Sequence, residues 1–190
     1  MDNVSHFALI CLGSNADSVF GNPQETVERA IALIGEMSDE SCQISSLYRT
    51  PAFPAGAGPD FVNAAMAIRT TLSPEATLGH LHQIETLAGR VRTKRWGQRT
   101  LDLDLIAVDD LICPDIHVYN QWRNLPSAAQ QVKAPDRLIL PHPRLQDRSF
   151  VLVPLADVAS GWIHPVLGLT VQQMLAQRPD AERAEVIALI

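Results

Sequence analysis

Three cysteines in 190 residues, Cys11, Cys42 and Cys113, are too few and too widely spaced for a disulfide framework. No C-x-x-C occurs, which removes the simplest zinc site. His80 and His82 stand two apart on a helical stretch, hence on different faces, and there is no H-E-x-x-H, so histidine ligation of a metal is not indicated. Neither G-x-x-x-x-G-K-[ST] nor G-x-G-x-x-G is found, so any nucleotide site must be built another way. No run approaches the roughly 18 apolar residues of a membrane span. The N-terminus lacks a basic stretch followed by a long apolar one, Phe7 to Leu12 being only strand-length. Positive charge is in deficit, with 15 Lys and Arg against 21 acids and a net charge of −6, which argues against nucleic acid as the main partner. The chain reads as one soluble, cytoplasmic domain over residues 1–190, long enough to bury a core.

What positive charge there is, is concentrated. Five of the 15 basic residues fall between Arg90 and Arg99, in Arg90-Val-Arg92-Thr-Lys94-Arg95-Trp96-Gly-Gln-Arg99. The run Thr100 to Val108, TLDLDLIAV, follows at once and alternates as a strand does. Asp102 and Asp104 then share one face while Leu101, Leu103 and Leu105 take the other. Their backbones stand about 6.6 Å apart, close enough for side-chain rotamers to bring both carboxylates to one or two hard cations. Mg²⁺ takes one or two carboxylates, several waters and phosphate oxygens. A basic loop beside such a pair suits a polyphosphate held by guanidinium groups and bridging Mg²⁺. An amphipathic strand with two solvated acids would need neither the arginines nor Trp96, a large apolar group costly to leave in water.

The remaining pattern gives the architecture. His6 to Leu12 reads as a strand ending at Gly13-Ser14-Asn15. Asn22, Pro23 and Glu25 announce a helix to about Met37 with a capping box. Cys42 to Arg49 and Phe61 to Thr70 read as strands, separated by a Pro/Gly-rich loop. Ser73-Pro74-Glu75 opens a second helix with Leu78, Leu81, Ile84 and Ala88 on its apolar face. With the Asp102 strand, the order β-α-β-β-α-β is the ferredoxin-like pattern, an α+β sandwich with helices on the faces of an antiparallel sheet. A C-terminal extension follows. Residues 112–134 show no clear periodicity and read as a long loop or insertion. A short strand at 138–140, helices at 149–159 and 170–177, and a late strand at 186–190 complete the prediction.

Phe61 and Asn63 share a strand face, as a flat heterocycle requires: a stacking surface and a paired donor and acceptor. Glu85 falls on the buried edge of its helix, where an isolated carboxylate needs a partner.

Taken together, these residues resemble one family, the hydroxymethyldihydropterin pyrophosphokinases of folate biosynthesis. The resemblance runs through Leu12-Gly-Ser-Asn15, Ser46-Leu-Tyr48-Arg49-Thr50-Pro51 and Asp60-Phe61-Val-Asn63-Ala-Ala. It continues through Ile84-Glu85, Gly89-Arg90-Val-Arg92, Arg95-Trp96-Gly97 and Arg99-Thr-Leu-Asp102-Leu-Asp104, then Leu140-Pro-His142-Pro, Asp147-Arg148-Ser-Phe150-Val-Leu and Pro154-Leu155. The resemblance implies transfer of pyrophosphate from ATP to the hydroxymethyl group of 6-hydroxymethyl-7,8-dihydropterin, releasing AMP. It makes Asp102 and Asp104 the ligands of two Mg²⁺ ions, and Arg90, Arg92, Trp96 and Arg99 parts of a catalytic loop. It assigns Thr50, Pro51, Phe53, Phe61, Asn63 and Phe150 to the pterin, and Glu85, Arg92, Arg99, Arg137, His142 and Arg148 to ATP. Both partners are thus small molecules, with no nucleic acid and no membrane.

The sequence departs from the family in three places. Phe61 stands where some members carry tyrosine, Gln98 replaces the usual proline, and the stretch at 112–134 is longer. Two other readings stand beside this one: a pterin- or nucleotide-binding paralogue without catalysis, and a nucleotidyl transferase with paired aspartates on a similar sheet.

Overall fold

The computed structural model of the protein describes residues 4–52, 58–90, 99–126, 129 and 133–189. The first apolar run forms β1 (His6–Ser14), two residues longer than the strand read over His6 to Leu12. Asn22 starts α1 (Pro23–Gly35): its side chain accepts the Glu25 N–H at 3.1 Å, and the Glu25 carboxylate accepts the Asn22 N–H at 2.8 Å. The capping box read from the sequence is therefore formed.

The strand predicted over Cys42 to Arg49 is two strands, β2 (Gln43–Ile44) and β3 (Tyr48–Thr50), both on β4 (Phe61–Thr70). Between them the Ser45 hydroxyl accepts the Ala65 N–H at 2.8 Å, while the Ser45 N–H donates to the Ala65 carbonyl. A side chain replaces a backbone acceptor, so the regular ladder is interrupted. Ser73 then caps α2 (Pro74–Leu87) at the predicted residue, and β5 (Asp102–Val108) follows the basic segment.

The sheet order is β5-β1-β4-β3-β6, with β2 also on β4 and the last strand, β6, at Ile187–Ala188. All described pairings are antiparallel, and the two βαβ units interleave as the ferredoxin-like pattern requires. One face buries Ile10, Leu12, Met66, Leu103 and Leu105 against Val27, Ala30 and Ile34 of α1 and Leu81 and Ile84 of α2.

The predicted loop at 112–134 needs correction, for it contains a helix, α3 (Ile116–Arg123), started by Asp115, whose carboxylate accepts two backbone N–H groups. Eight residues are too few for a periodic signal, and one burial event decides the matter. Tyr119 is fully buried, its hydroxyl 3.0 Å from His164 Nε2, a partner 45 residues away. The predicted strand at 138–140 reduces to a single bridge between Leu140 and Cys113. The second sheet face, with Leu9, Cys11, Ala65, Ala67 and Ile106, is covered by α4 (Ser149–Ala159) and α5 (Val171–Ala176). A short helix, α6 (Asp180–Ala184), leads into β6.

Candidate active site

Strand register brings the singled-out residues together. Gly13 on β1 is opposite Asn63 on β4 and Asp102 on β5, and Asn63 is in turn opposite Tyr48 on β3. Paired residues project to the same face, so these four form one row across the sheet. Cys11 and Asp104 occupy the neighbouring row of the same face. Gly13 is the gap in the first row: a Cβ there would stand 2.9 Å from Asn63 Oδ1 and 3.7 Å from Phe61 Cδ1. Asn63 is buried and its Nδ2 donates to Thr50 Oγ1 at 2.7 Å, while Thr50 is itself opposite Phe61. The result is an amide held at fixed orientation beside an aromatic ring, its oxygen seated against Gly13 where any Cβ would collide with it. Pro51 follows Thr50 and is exposed, and Phe53 lies outside the described residues.

At the Asp102 end the site is charged. Gly89, at φ +76°, ends α2 in the left-handed conformation that glycine adopts without strain. The Gly89 N–H then donates to the Thr86 carbonyl and the Arg90 N–H to the Glu85 carbonyl, the two bonds of a Schellman turn. This turn brings Arg90 back over the helix it has just left. Its guanidinium pairs with Glu85 and, at 2.8 Å, with Asp102 Oδ1. Glu85 is 2% exposed and also accepts the Leu103 N–H at 2.9 Å, so it joins α2 to β5. Arg99 pairs with the second oxygen of Asp102. Burial lowers the Arg99 pKa, and Asp104 opposes that shift by attraction.

The third wall comes from the C-terminal segment. Arg148, at the start of α4, has its pKa lowered chiefly by burial, with the Asp104 carboxylate raising it. Its guanidinium carbon is 5.7 Å from the centre of the Phe150 ring, which remains 41% exposed on the first turn of α4. His142 accepts the Arg144 N–H on Nδ1, and burial pushes its pKa down to about 4 despite the nearby Asp104. The neutral imidazole therefore carries its proton on Nε2 at pH 7. Three guanidinium groups, two carboxylates and one neutral imidazole converge at the end of the sheet that carries Phe61 and Asn63. This combination can bind a polyphosphate next to an aromatic heterocycle.

The chain is similar to known proteins in both sequence and fold. Residues 9–160 match the family model for 7,8-dihydro-6-hydroxymethylpterin-pyrophosphokinase, HPPK. The chain belongs to the HPPK family. The 2-amino-4-hydroxy-6-hydroxymethyldihydropteridine pyrophosphokinase of Synechocystis sp. is 39% identical over 172 residues, 90% of this chain and 76% of that protein. Its Haemophilus influenzae namesake is 35% identical over 159 residues, 83% of this chain and 84% of that protein. The fold matches a crystal structure of Plasmodium falciparum HPPK-DHPS with a TM-score of 0.63 at 14% identity, over 93% of this chain. This chain spans 43% of that longer one.

As a member of the HPPK family, the chain is a pyrophosphokinase of folate biosynthesis that acts on hydroxymethyldihydropterin. Of the residues singled out in the sequence, Thr50, Phe61, Asn63, Glu85, Arg90, Arg99, Asp102, Asp104, His142, Arg148 and Phe150 line or adjoin this end of the second sheet face. Arg92 and Trp96 lie outside the described residues. Arg137 is at the surface, its Nε 3.2 Å from Asp136, with no described contact to the Asp102 cluster. Glu85 pairs with Arg90 and accepts a β5 backbone N–H, and beside Arg90, His82 and Thr86 it lines a pocket on this side of α2. Gly13 and Asn15 carried no individual assignment in the sequence; their signals were the strand end at Gly13-Ser14-Asn15 and the family motif Leu12-Gly-Ser-Asn15. No helix among the described residues is long and apolar enough to cross a membrane.

Proposed function

We propose that this chain transfers the pyrophosphoryl group of Mg²⁺-bound ATP to the hydroxymethyl oxygen of 6-hydroxymethyl-7,8-dihydropterin, releasing AMP, in the cytoplasm. The observation that carries the reading is the row Asp102–Gly13–Asn63, which sets a carboxylate and a fixed amide on either side of a missing side chain. The pterin ring occupies the slot between Phe61 and Phe150, its edge on Asn63 and Thr50. Its hydroxymethyl group then points toward Asp102, where the phosphates lie.

The donor set fits Mg²⁺ rather than a metal with an all-protein cage. Asp102 and Asp104 supply two hard oxygen ligands, and no group of three or more His, Cys, Asp or Glu is assembled among the described residues. Asp102 and Asp104 would hold two Mg²⁺ ions, which would supply neutralisation of the phosphate charge. The remaining work falls to the chain. Arg90 and Arg99, held in reach by Asp102, and Arg148 beside Asp104 orient the triphosphate and stabilise charge developing on it. His142 offers a neutral N–H that adds no charge to this already basic wall. Positioning and charge neutralisation suffice for such a transfer, and no covalent nucleophile is required.

The test is AMP release from ATP in the presence of the dihydropterin and Mg²⁺. AMP stoichiometric with pyrophosphorylated pterin is the expected result. Tight pterin binding with no AMP would instead establish the non-catalytic paralogue. Phe61→Ala should weaken the pterin by roughly 1–3 kcal/mol through lost stacking and burial. Equal loss of ATP affinity in a calorimetric titration would mean that Phe61 supports the fold rather than the ring.

A further inference from the structure

Asn15 stands at the junction of the two substrate sides without belonging to either. It is 4% exposed, and its N–H and both polar atoms of its side chain are committed to the backbone of a neighbouring segment. Its N–H donates to the Arg99 carbonyl at 3.1 Å, and its Oδ1 accepts the Arg99 N–H at 2.8 Å. Its Nδ2 donates to the Pro59 carbonyl at 3.1 Å. Arg99 is three residues before Asp102 and Pro59 two residues before Phe61, so one buried amide ties the approach to the phosphate side to the approach to the ring side. The two bonds to Arg99 grip its peptide units from both directions, which fixes where its guanidinium departs toward Asp102. Ser14 reinforces that attachment, its hydroxyl donating to the Thr100 carbonyl at 2.6 Å.

We propose that Asn15 is a positioning residue for pyrophosphoryl transfer, acting through Arg99 on the transfer step and through Pro59 on pterin binding. The inference rests on the roles proposed above for Arg99 and Phe61. Its two halves separate chemically. Asn15→Asp keeps an oxygen to accept the Arg99 N–H and removes the donor to Pro59, whereas Asn15→Ala removes both.

The experiment measures kcat and both KM values by AMP release for Asn15→Ala, Asn15→Asp, Arg99→Ala and the Asn15→Ala/Arg99→Ala double variant, with thermal melts of each. Asn15→Ala should lower kcat about 10- to 100-fold and raise the pterin KM several-fold, as expected when a supporting contact to a transition-state group is lost. Asn15→Asp should keep kcat within about threefold of wild type while retaining the raised pterin KM. In the Arg99→Ala background, Asn15→Ala should cost less than about a further threefold in kcat, since residues acting through one another are not additive. Multiplicative losses in the double variant, or an Asn15→Asp kcat as low as that of Asn15→Ala, would overturn the proposal. Should Asn15→Ala fail to fold, the split between kcat and pterin KM in Asn15→Asp decides the matter alone. An Arg99→Ala variant with wild-type kcat is a different result: it removes the role of Arg99 on which the proposal stands.

Discussion

Two polar clusters of this protein, one buried and one partly open to solvent, are built on opposite principles. The Tyr119–His164 pair is neutral: Tyr119 and His164 are both fully buried, the histidine Nδ1 accepts the Val166 and Leu167 N–H groups, and Nε2 meets the tyrosine hydroxyl at 3.0 Å. Glu85, Arg90, Asp102 and Arg99 form a charged chain, partly open to solvent. The neutral pair costs little to bury because every polar atom has a partner, and it anchors α3 to the C-terminal segment. The charged chain is a poor way to gain stability, because desolvation offsets much of the Coulomb attraction. Under the function proposed above, its merit is that guanidinium groups and carboxylates are already converged where the triphosphate would be met. One cluster serves the fold, and the proposed function assigns the other to the chemistry.

The sharpest way to break that distinction is to remove the carboxylates. Asp102→Ala or Asp104→Ala is expected to reduce turnover by about 10³-fold or more while the protein stays folded, since each deletes a hard metal ligand and a partner for the arginines. Activity within tenfold of wild type, measured as AMP release across a magnesium titration, would sink the metal assignment.

Next in size is Arg99→Ala, expected to lower kcat about 10²- to 10³-fold, the scale for losing one preorganised donor. Nucleotide affinity should fall several-fold at most, because the triphosphate keeps other partners in the ground state. If ATP binding weakens in proportion to kcat/KM, Arg99 is a static clamp and acts on the ground state and transition state alike.

Acid should find the neutral pair. Burial, with a smaller contribution from Arg123, pushes the His164 pKa down to about 4, below its ordinary value of 6.5. Between those two values the unfolded chain binds a proton that the folded chain refuses, so stability falls as pH drops. The contribution of His164 is intact above about pH 6.5 and declines toward pH 4, a loss on the order of 3 kcal/mol in all. Urea denaturation at pH 7 and pH 5 checks the sign; His164→Phe should flatten the slope.

The smallest effect sharpens the comparison most. Tyr119→Phe leaves the buried imidazole N–H without its acceptor and should cost roughly 1–2 kcal/mol of stability. Its kcat should stay at the wild-type value. A loss of turnover at full folding would show that α3 communicates with the site and that the two clusters are not separate.

The two clusters also differ in how far the sequence revealed them. The charged one was legible because its residues are local: the basic segment runs directly into Asp102 and Asp104, and strand alternation places both acids on one face. The capping box at Asn22, the cap at Ser73 and the apolar faces of α1 and α2 were legible for the same reason, since each is a pattern within a few residues. The helix α3 was not, because its single buried side chain meets a partner 45 residues away and eight residues show no period.

By itself, then, the sequence determined the order of the core elements, their facing and the chemistry gathered beside Asp102, all of which follow from short-range spacing. Tertiary structure alone decided which long-range neighbours complete the site. Register put Gly13 between Asn63 and Asp102, the Schellman turn at Gly89 returned Arg90 to Glu85, and the end of β1 delivered Asn15 to both Arg99 and Pro59. No local pattern encodes these contacts. Each depends on strands and turns distant in sequence closing on one another, and that closure is settled by burial of the whole sheet.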